Sequence, residues 1–460
     1  MKLLTCGHCG QRVFFENVSC GNCGLALGFS PDEMAMLAFE LPAAVDAATP
    51  LPPLWHRVGG GADLRPCHNY VNENVCNWMV AADDPNPLCR SCRTTHVIPA
   101  LGNGANRGYW FALEQAKRRL LYTLIDIGLP FPPSTEDAEH GLSFHFLEEV
   151  DPARRVLTGH DHGLITLNIA EADDARREAM RASMHEPYRT LLGHFRHESG
   201  HYYWDRLVDG SPWLAECRAL FGDDRADYSA ALQHHYEAGP PADWAQSHVS
   251  TYATAHPWED WAECWAHYLH MMDGLETAAA WGLRLDAVMP GGAPVTAQAV
   301  GGDDDGVGAA LVAQWLPVSQ FINGMMRSLG LHDGYPFQLP ATVVAKLEFI
   351  HKVVRAAARG EVPMRFGANA PASTAELPDP AEPQGSELQP GNGSIAFSDG
   401  SPPAVHDERP IQPVGGGQPA APGEMPVEPD SPAVPPPDLP APDGVEPAQA
   451  PAGKPTPVEV

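Results

Sequence analysis

Eight of the ten cysteines in this 460-residue chain lie within its first 92 residues, and six of those eight form CxxC pairs. No other feature restricts the fold as strongly. Cys6/Cys9 and Cys20/Cys23 are each followed by glycine, which lets the backbone turn tightly so that amide groups can face the thiolate sulfurs. A β-prone stretch, Val13 to Phe15, separates the two knuckles. Four thiolates complete a tetrahedral shell and leave no position for a reacting water, so this quartet predicts a structural zinc ribbon over residues 1–30. Further on, Cys89/Cys92 form a third knuckle, and Cys67 and Cys76 complete a second quartet within 67–98. His68 or His96 in place of one cysteine is an alternative at this stage. Residues 31–66, with a proline-rich stretch and Gly59-Gly60-Gly61, read as a linker, and Ser30-Pro31-Asp32-Glu33 as the start of a short helix.

A second pattern carries chemistry. His197-Glu198-Ser199-Gly200-His201 sits in a proline-free run with Leu191, Leu192, Phe195 and Tyr202 at helical spacing. Residues four apart share a helix face, so both imidazoles can address one zinc ion. Glu198 beside them is placed to take a proton from a water that the metal activates. A third ligand is needed. Asp205 lies four residues beyond His201 on the same face. The stronger candidate is Glu259, in a predicted helix that begins at Pro257 and carries Trp261, Trp265, Tyr268 and Leu269 as an apolar stripe. Glu263, one turn on, is placed to brace a ligand histidine.

From Tyr252 to Glu263 the chain reads Tyr-x-x-x-His-x-x-Glu-x-x-Ala-Glu, which, after HExxH, resembles the gluzincin-type peptidases. The resemblance implies Glu259 as third zinc ligand, Glu263 as the acid behind a histidine, and Tyr252 as the tyrosine facing the reacting carbonyl. His256 stands where many such enzymes have asparagine. Up to about residue 355 the chain is similar to bacterial zinc-binding metallopeptidases with an N-terminal zinc-ribbon domain. The matching stretches are CNW at Cys76–Trp78, CRSCR at Cys89–Arg93, EQAKRRL at Glu114–Leu120, HESGHYYWDRL at His197–Leu207 and PWEDWAECWAHYL at Pro257–Leu269. The resemblance implies a peptidase without naming a substrate; with the two cysteine quartets, the expected cofactors are one catalytic and two structural zinc ions.

The remaining elements predict an α+β chain: zinc ribbons, then a mainly helical zincin-like domain over 99–360 with a small sheet, then a disordered tail over 361–460. A helix is expected over Tyr109–Leu129, and strands over Leu142–Val150 and Leu164–Ala170. The second strand suits the edge beside a bound substrate. Further helices are expected at Pro212–Phe221, Asp224–Glu237, 308–330 and 341–358. Residues 361–460 hold 24 of the 47 prolines, with 15 acidic and 3 basic residues, a composition that cannot repay the entropy of ordering.

The net charge of −29 argues against nucleic acid as a partner, unless Lys117, Arg118 and Arg119 present a basic patch. The expected partner is a protein or peptide substrate. No apolar run is long enough to span a membrane. The reduced knuckles point to the cytoplasm. A non-enzymatic, zinc-stabilised interaction protein with a vestigial HExxH site is the competing reading, but a structural site needs neither Glu198 nor Tyr252.

Overall fold

Short strands frame each knuckle. In the computed structural model, which describes residues 2–42, 51–151, 155–183, 186, 188–286, 294–299, 307–362 and 394–396, β1 (Leu4–Thr5) and β2 (Arg12–Val13) form an antiparallel hairpin around the first knuckle. β3 (Ala26–Ser30) leaves the second knuckle and pairs antiparallel with β4 (Ala35–Glu40), which in turn pairs with β5 (His56–Arg57). The expected linker over 31–66 is therefore corrected: it contributes β4 and β5 to a sheet. Ser30-Pro31-Asp32-Glu33 forms the turn from β3 into β4 instead of opening a helix. Met36, Leu37, Ala38 and Phe39 are all buried, so β4 is covered on both faces and shows no alternation by which a strand could be read. Around the second quartet, β6 (Leu64–Pro66) pairs with β7 (Met79–Ala81), flanking the one-turn helix α1 (His68–Val71).

Helix α2 (Gly104–Asp126) joins the ribbons to the rest of the molecule. Asn103 caps it by accepting the Ala105 amide at 3.3 Å. Its apolar residues point two ways. Tyr122 meets Phe15 and Phe29 of the ribbons at ring distances of 5.5 and 5.9 Å, while Leu113, Leu120, Leu121 and Leu124 are fully buried. Two of the three residues of the supposed basic patch are inside this junction, while Arg119 keeps 39% of its side chain exposed. Lys117 is 0% and Arg118 2% exposed. Lys117 pairs with Glu114 at 3.0 Å, Arg118 donates to the Val75 carbonyl, and Arg119 bonds Glu16 at 2.7 Å.

β8 (Thr95–Pro99), β9 (Ser143–Leu147), β10 (Gly159–Asp161) and β11 (Leu164–Asn168) build the main sheet, in the order β10-β11-β9-β8 followed by β14 (Ser394–Ala396). β8, β9 and β11 run parallel, with β10 and β14 antiparallel on the outside. The substrate-edge expectation for Leu164–Ala170 needs correction. A turn at His162-Gly163 folds β10 back against Leu164–Thr166, so β10 is the edge and β11 is interior there. Beyond Asn168 the chain turns into a 3-10 helix at Ile169–Ala172.

The helices follow: α3 (Asp174–Ser183), α4 (Leu191–Leu207), α5 (Leu214–Phe221), α6 (Tyr228–Ala238), α7 (Pro257–Ala280), α8 (Val307–Ser328) and α9 (Ala341–Ala358), with a small hairpin, β12 (Arg284–Leu285) and β13 (Val295–Thr296), before α8. The mixed α and β class is as expected. Ribbons, sheet and helices share a single buried apolar cluster running from Leu4 to Val354. Apart from Glu361, Val362 and β14, the acidic proline-rich tail lies outside the described residues. Among the described residues no helix is long and apolar enough to cross a membrane.

Candidate metal centre

Helices α4 and α7 cross where Gly200 allows them to touch: a Cβ on that glycine would stand 2.8 Å from Ala262 Cα. Two α7 tryptophans fasten the crossing. Trp261 Nε1 donates to the Gly200 carbonyl at 2.8 Å, and Trp265 Nε1 to Ser199 Oγ at 3.1 Å. Thr190 caps α4 by accepting the Gly193 amide. His256 caps α7: its Nδ1 accepts the Trp258 amide at 3.1 Å while Nε2 donates to the Ala226 carbonyl at 3.1 Å. Asparagine, which the resemblance expects there, is also a strong capping residue, so the position is a helix cap.

The crossing brings His197, His201 and Glu259 together. One donor atom from each lies within 4.8 Å of the others. Glu259 Oε2 stands 3.0 Å from His197 Nε2 and 3.5 Å from His201 Nε2. On the far side of its ring, His197 Nδ1 bonds Glu263 Oε1 at 2.7 Å, and Glu263 Oε2 accepts from Ser250 Oγ at 2.6 Å. This relay fixes the imidazole so that Nε2 faces Glu259 and His201. Burial opposes a charged His197, but the hydrogen bonds it donates to Glu259 and Glu263 outweigh it and hold its pKa well above the ordinary value. Glu259 is also buried, and the two histidines hold its pKa well below the carboxylate range. Two imidazole nitrogens and a carboxylate oxygen, converging and braced from behind, fit a zinc ion with a fourth position open.

Glu198 is buried beside the group. Burial raises its pKa, with His197 and His201 pulling the other way. The Tyr252 ring lies 5.9 Å from the His197 ring. Asp205 is not among the converging donors. Burial, then Asp209, pushes its carboxyl up to about 7, and His201 Nδ1 has no hydrogen-bond partner among the described residues. His194 lies 3.6 Å from Glu171, and His235 bonds Thr254 at 3.3 Å, so neither joins the group.

Both cysteine quartets also converge. Cys6 and Cys23 sulfurs are 3.8 Å apart, Cys9 and Cys20 3.6 Å, and Cys76 and Cys89 3.7 Å. Zn–S bonds of about 2.3 Å arranged as a tetrahedron put sulfurs roughly 3.8 Å apart, so the spacing fits zinc. Cys67 Sγ accepts the Cys89 amide at 3.3 Å, and Cys76 Sγ the Trp78 amide at 3.4 Å. The second quartet is complete with cysteine alone: His68 bonds Asn72 instead, and His96 sits against Ser134.

Residues 106–353 match the family described as "Putative zinc-binding metallo-peptidase", and residues 3–103 match a zinc-ribbon domain. The chain belongs to this zinc-binding metallopeptidase family. Uncharacterized proteins of Mycobacterium tuberculosis and Mycobacterium bovis are each 44% identical to it over 355 residues, which is 77% of this chain and 95% of the relative. No solved structure matches the chain.

The family member's site includes side chains that sequence reasoning missed. Tyr228 donates to Glu259 Oε1 at 2.7 Å, and Ser250 completes the relay behind His197. Trp258 lies 3.9 Å from the His201 ring, and His160 of the edge strand stacks against the same ring at 6.2 Å. None belongs to a spacing rule. Tyr228 sits 31 residues before Glu259 on a different helix, where no local periodicity links them.

Proposed function

We propose that this protein is a zinc-dependent hydrolase of peptide bonds, with one metal ion held by His197, His201 and Glu259. The observation that carries the reading is the convergence of these three donors within 4.8 Å beside a buried glutamate. Zinc bound there supplies Lewis acidity, polarising a carbonyl and lowering the pKa of water. Glu198 is the general base: it takes the proton of the attacking water and later delivers it to the departing amine. Its raised pKa suits a group that must both accept and release that proton. Tyr252 donates its hydroxyl to the negative charge developing on the carbonyl oxygen. Burial, then the Glu259 charge, pushes its pKa well above the ordinary value, so it remains a donor at neutral pH.

The two cysteine quartets have a structural role in this reading, since four thiolates leave no position for substrate. Reduced thiols at both sites suit the cytoplasm. The partner is a protein or peptide substrate, held in extended form along the β10 edge.

Glu198→Gln removes the base and keeps the side chain's size. The expected outcome is three zinc ions per chain and an unchanged melting temperature, with turnover of a peptide library lowered by at least about 10²–10⁴-fold. Full turnover in the metal-loaded variant would overturn the mechanism. A metal-loaded wild type that cleaves nothing would favour a non-enzymatic interaction protein.

A further inference from the structure

Glu259 divides its two carboxylate oxygens between different partners. Oε2 faces the Nε2 atoms of His197 and His201, at 3.0 and 3.5 Å. Oε1 accepts the Tyr228 hydroxyl at 2.7 Å. Tyr228 comes from another helix, α6, and its placement is secured at several points. Asp227 caps α6 by accepting the Ala230 amide at 3.0 Å. Two residues before Tyr228, the Ala226 carbonyl accepts the hydrogen bond from His256, the cap of the helix that carries Glu259. Arg218 grips Asp224 in the same connection, at 2.5 and 3.0 Å. The Tyr228 ring packs edge-on against His256 at 5.3 Å and Trp258 at 5.8 Å. The start of α6 and the start of α7 are thus fastened together, and the bond from Tyr228 to Glu259 is the inner end of that junction.

We propose that Tyr228 is a positioning residue for the third ligand: by occupying Oε1 it restricts Glu259 to one donor oxygen, Oε2. A carboxylate free to turn would offer both oxygens and take up the position that must stay open for water and substrate. The inference rests on Glu259 being a ligand. It assigns Tyr228 to the metal site, in contrast to Tyr252, which the reaction would use on substrate.

The test uses the full chain as Tyr228→Phe, which keeps the ring packing and removes only the hydroxyl. The cysteine sites are left filled with zinc, and the histidine–glutamate site is emptied with a chelator and refilled with cobalt(II) or zinc. The expected result is a loss of about 10–100-fold in zinc affinity by chelator competition. The cobalt visible bands should also weaken and move, as they do when a four-coordinate site gains a fifth oxygen ligand. Unchanged affinity and an unchanged cobalt spectrum in a folded Tyr228→Phe protein would overturn the proposal, even if turnover fell. Glu259→Ala separates this failure from a failure of the ligand reading. If Glu259→Ala keeps the third metal at wild-type affinity, Glu259 is not a ligand, and both readings fall. If it loses that metal while Tyr228→Phe is unaffected, only the Tyr228 proposal falls.

Discussion

Individual side chains near the candidate site are held by balanced pairs of opposing effects. His197 is a buried imidazole whose two nitrogens face two glutamates, and that pairing, not exposure, sets its chemistry. Asp205 shows the reverse case, a half-buried carboxyl without a cation strong enough to offset its desolvation. Its folded-state value of about 7 lies above the ordinary carboxylate value of about 3.9. The native state therefore holds an extra proton between those limits, and stability must fall as pH rises through them. Asp205→Asn removes the penalty. The expected outcome is little change in stability near pH 4 and a gain on the order of 1 kcal/mol at pH 8, read from denaturant midpoints at both pH values. A gain that is the same at both would mean that Asp205 ionises normally.

Among the elements, the α4–α7 crossing positions the site. His197, His201 and the Gly200 contact come from one helix, Glu259, Glu263 and both clamping tryptophans from the other. A shift of either helix against the other therefore changes the spacing of the donors. Gly200→Ala places a methyl group 2.8 Å from the Ala262 backbone, where no flexible side chain can give way. The expected outcome is a loss of about 1–3 kcal/mol in stability, as for other overpacked cores, with weaker zinc binding at the third site. Chemical unfolding and metal competition on the same protein would check both. The element also shows why the aromatic stripe on α7 was legible: Trp261, Trp265, Tyr268 and Leu269 recur at helical spacing, and all are fully buried.

At the scale of the whole molecule, the zinc ribbons and the peptidase helices share a core. Phe15 of the first ribbon contacts Phe29, Trp78 and Tyr122, whose rings come from both ribbons and from α2. Phe15→Ala is expected to cost about 3–5 kcal/mol and to lower one common unfolding transition. Calorimetry that instead showed two transitions, with only the lower one shifted, would mean that the ribbons fold separately. What the sequence by itself determined is whatever depends on short spacing: the CxxC knuckles, the i, i+4 histidines of HESGH, the proline-started helix with Glu259 and Glu263, and the long helix α2. These follow from backbone geometry within a turn or two, and the family resemblance rests on the same stretches. Only the tertiary structure decided the rest. The strand β4 was hidden because burial on both faces erased its alternation, and Lys117 and Arg118 lie inside because α2 is covered on two sides. Tyr228 and Ser250 reach the two glutamates across 31 and 13 residues of chain. Such contacts are set by how helices pack, and no periodicity along the chain encodes them.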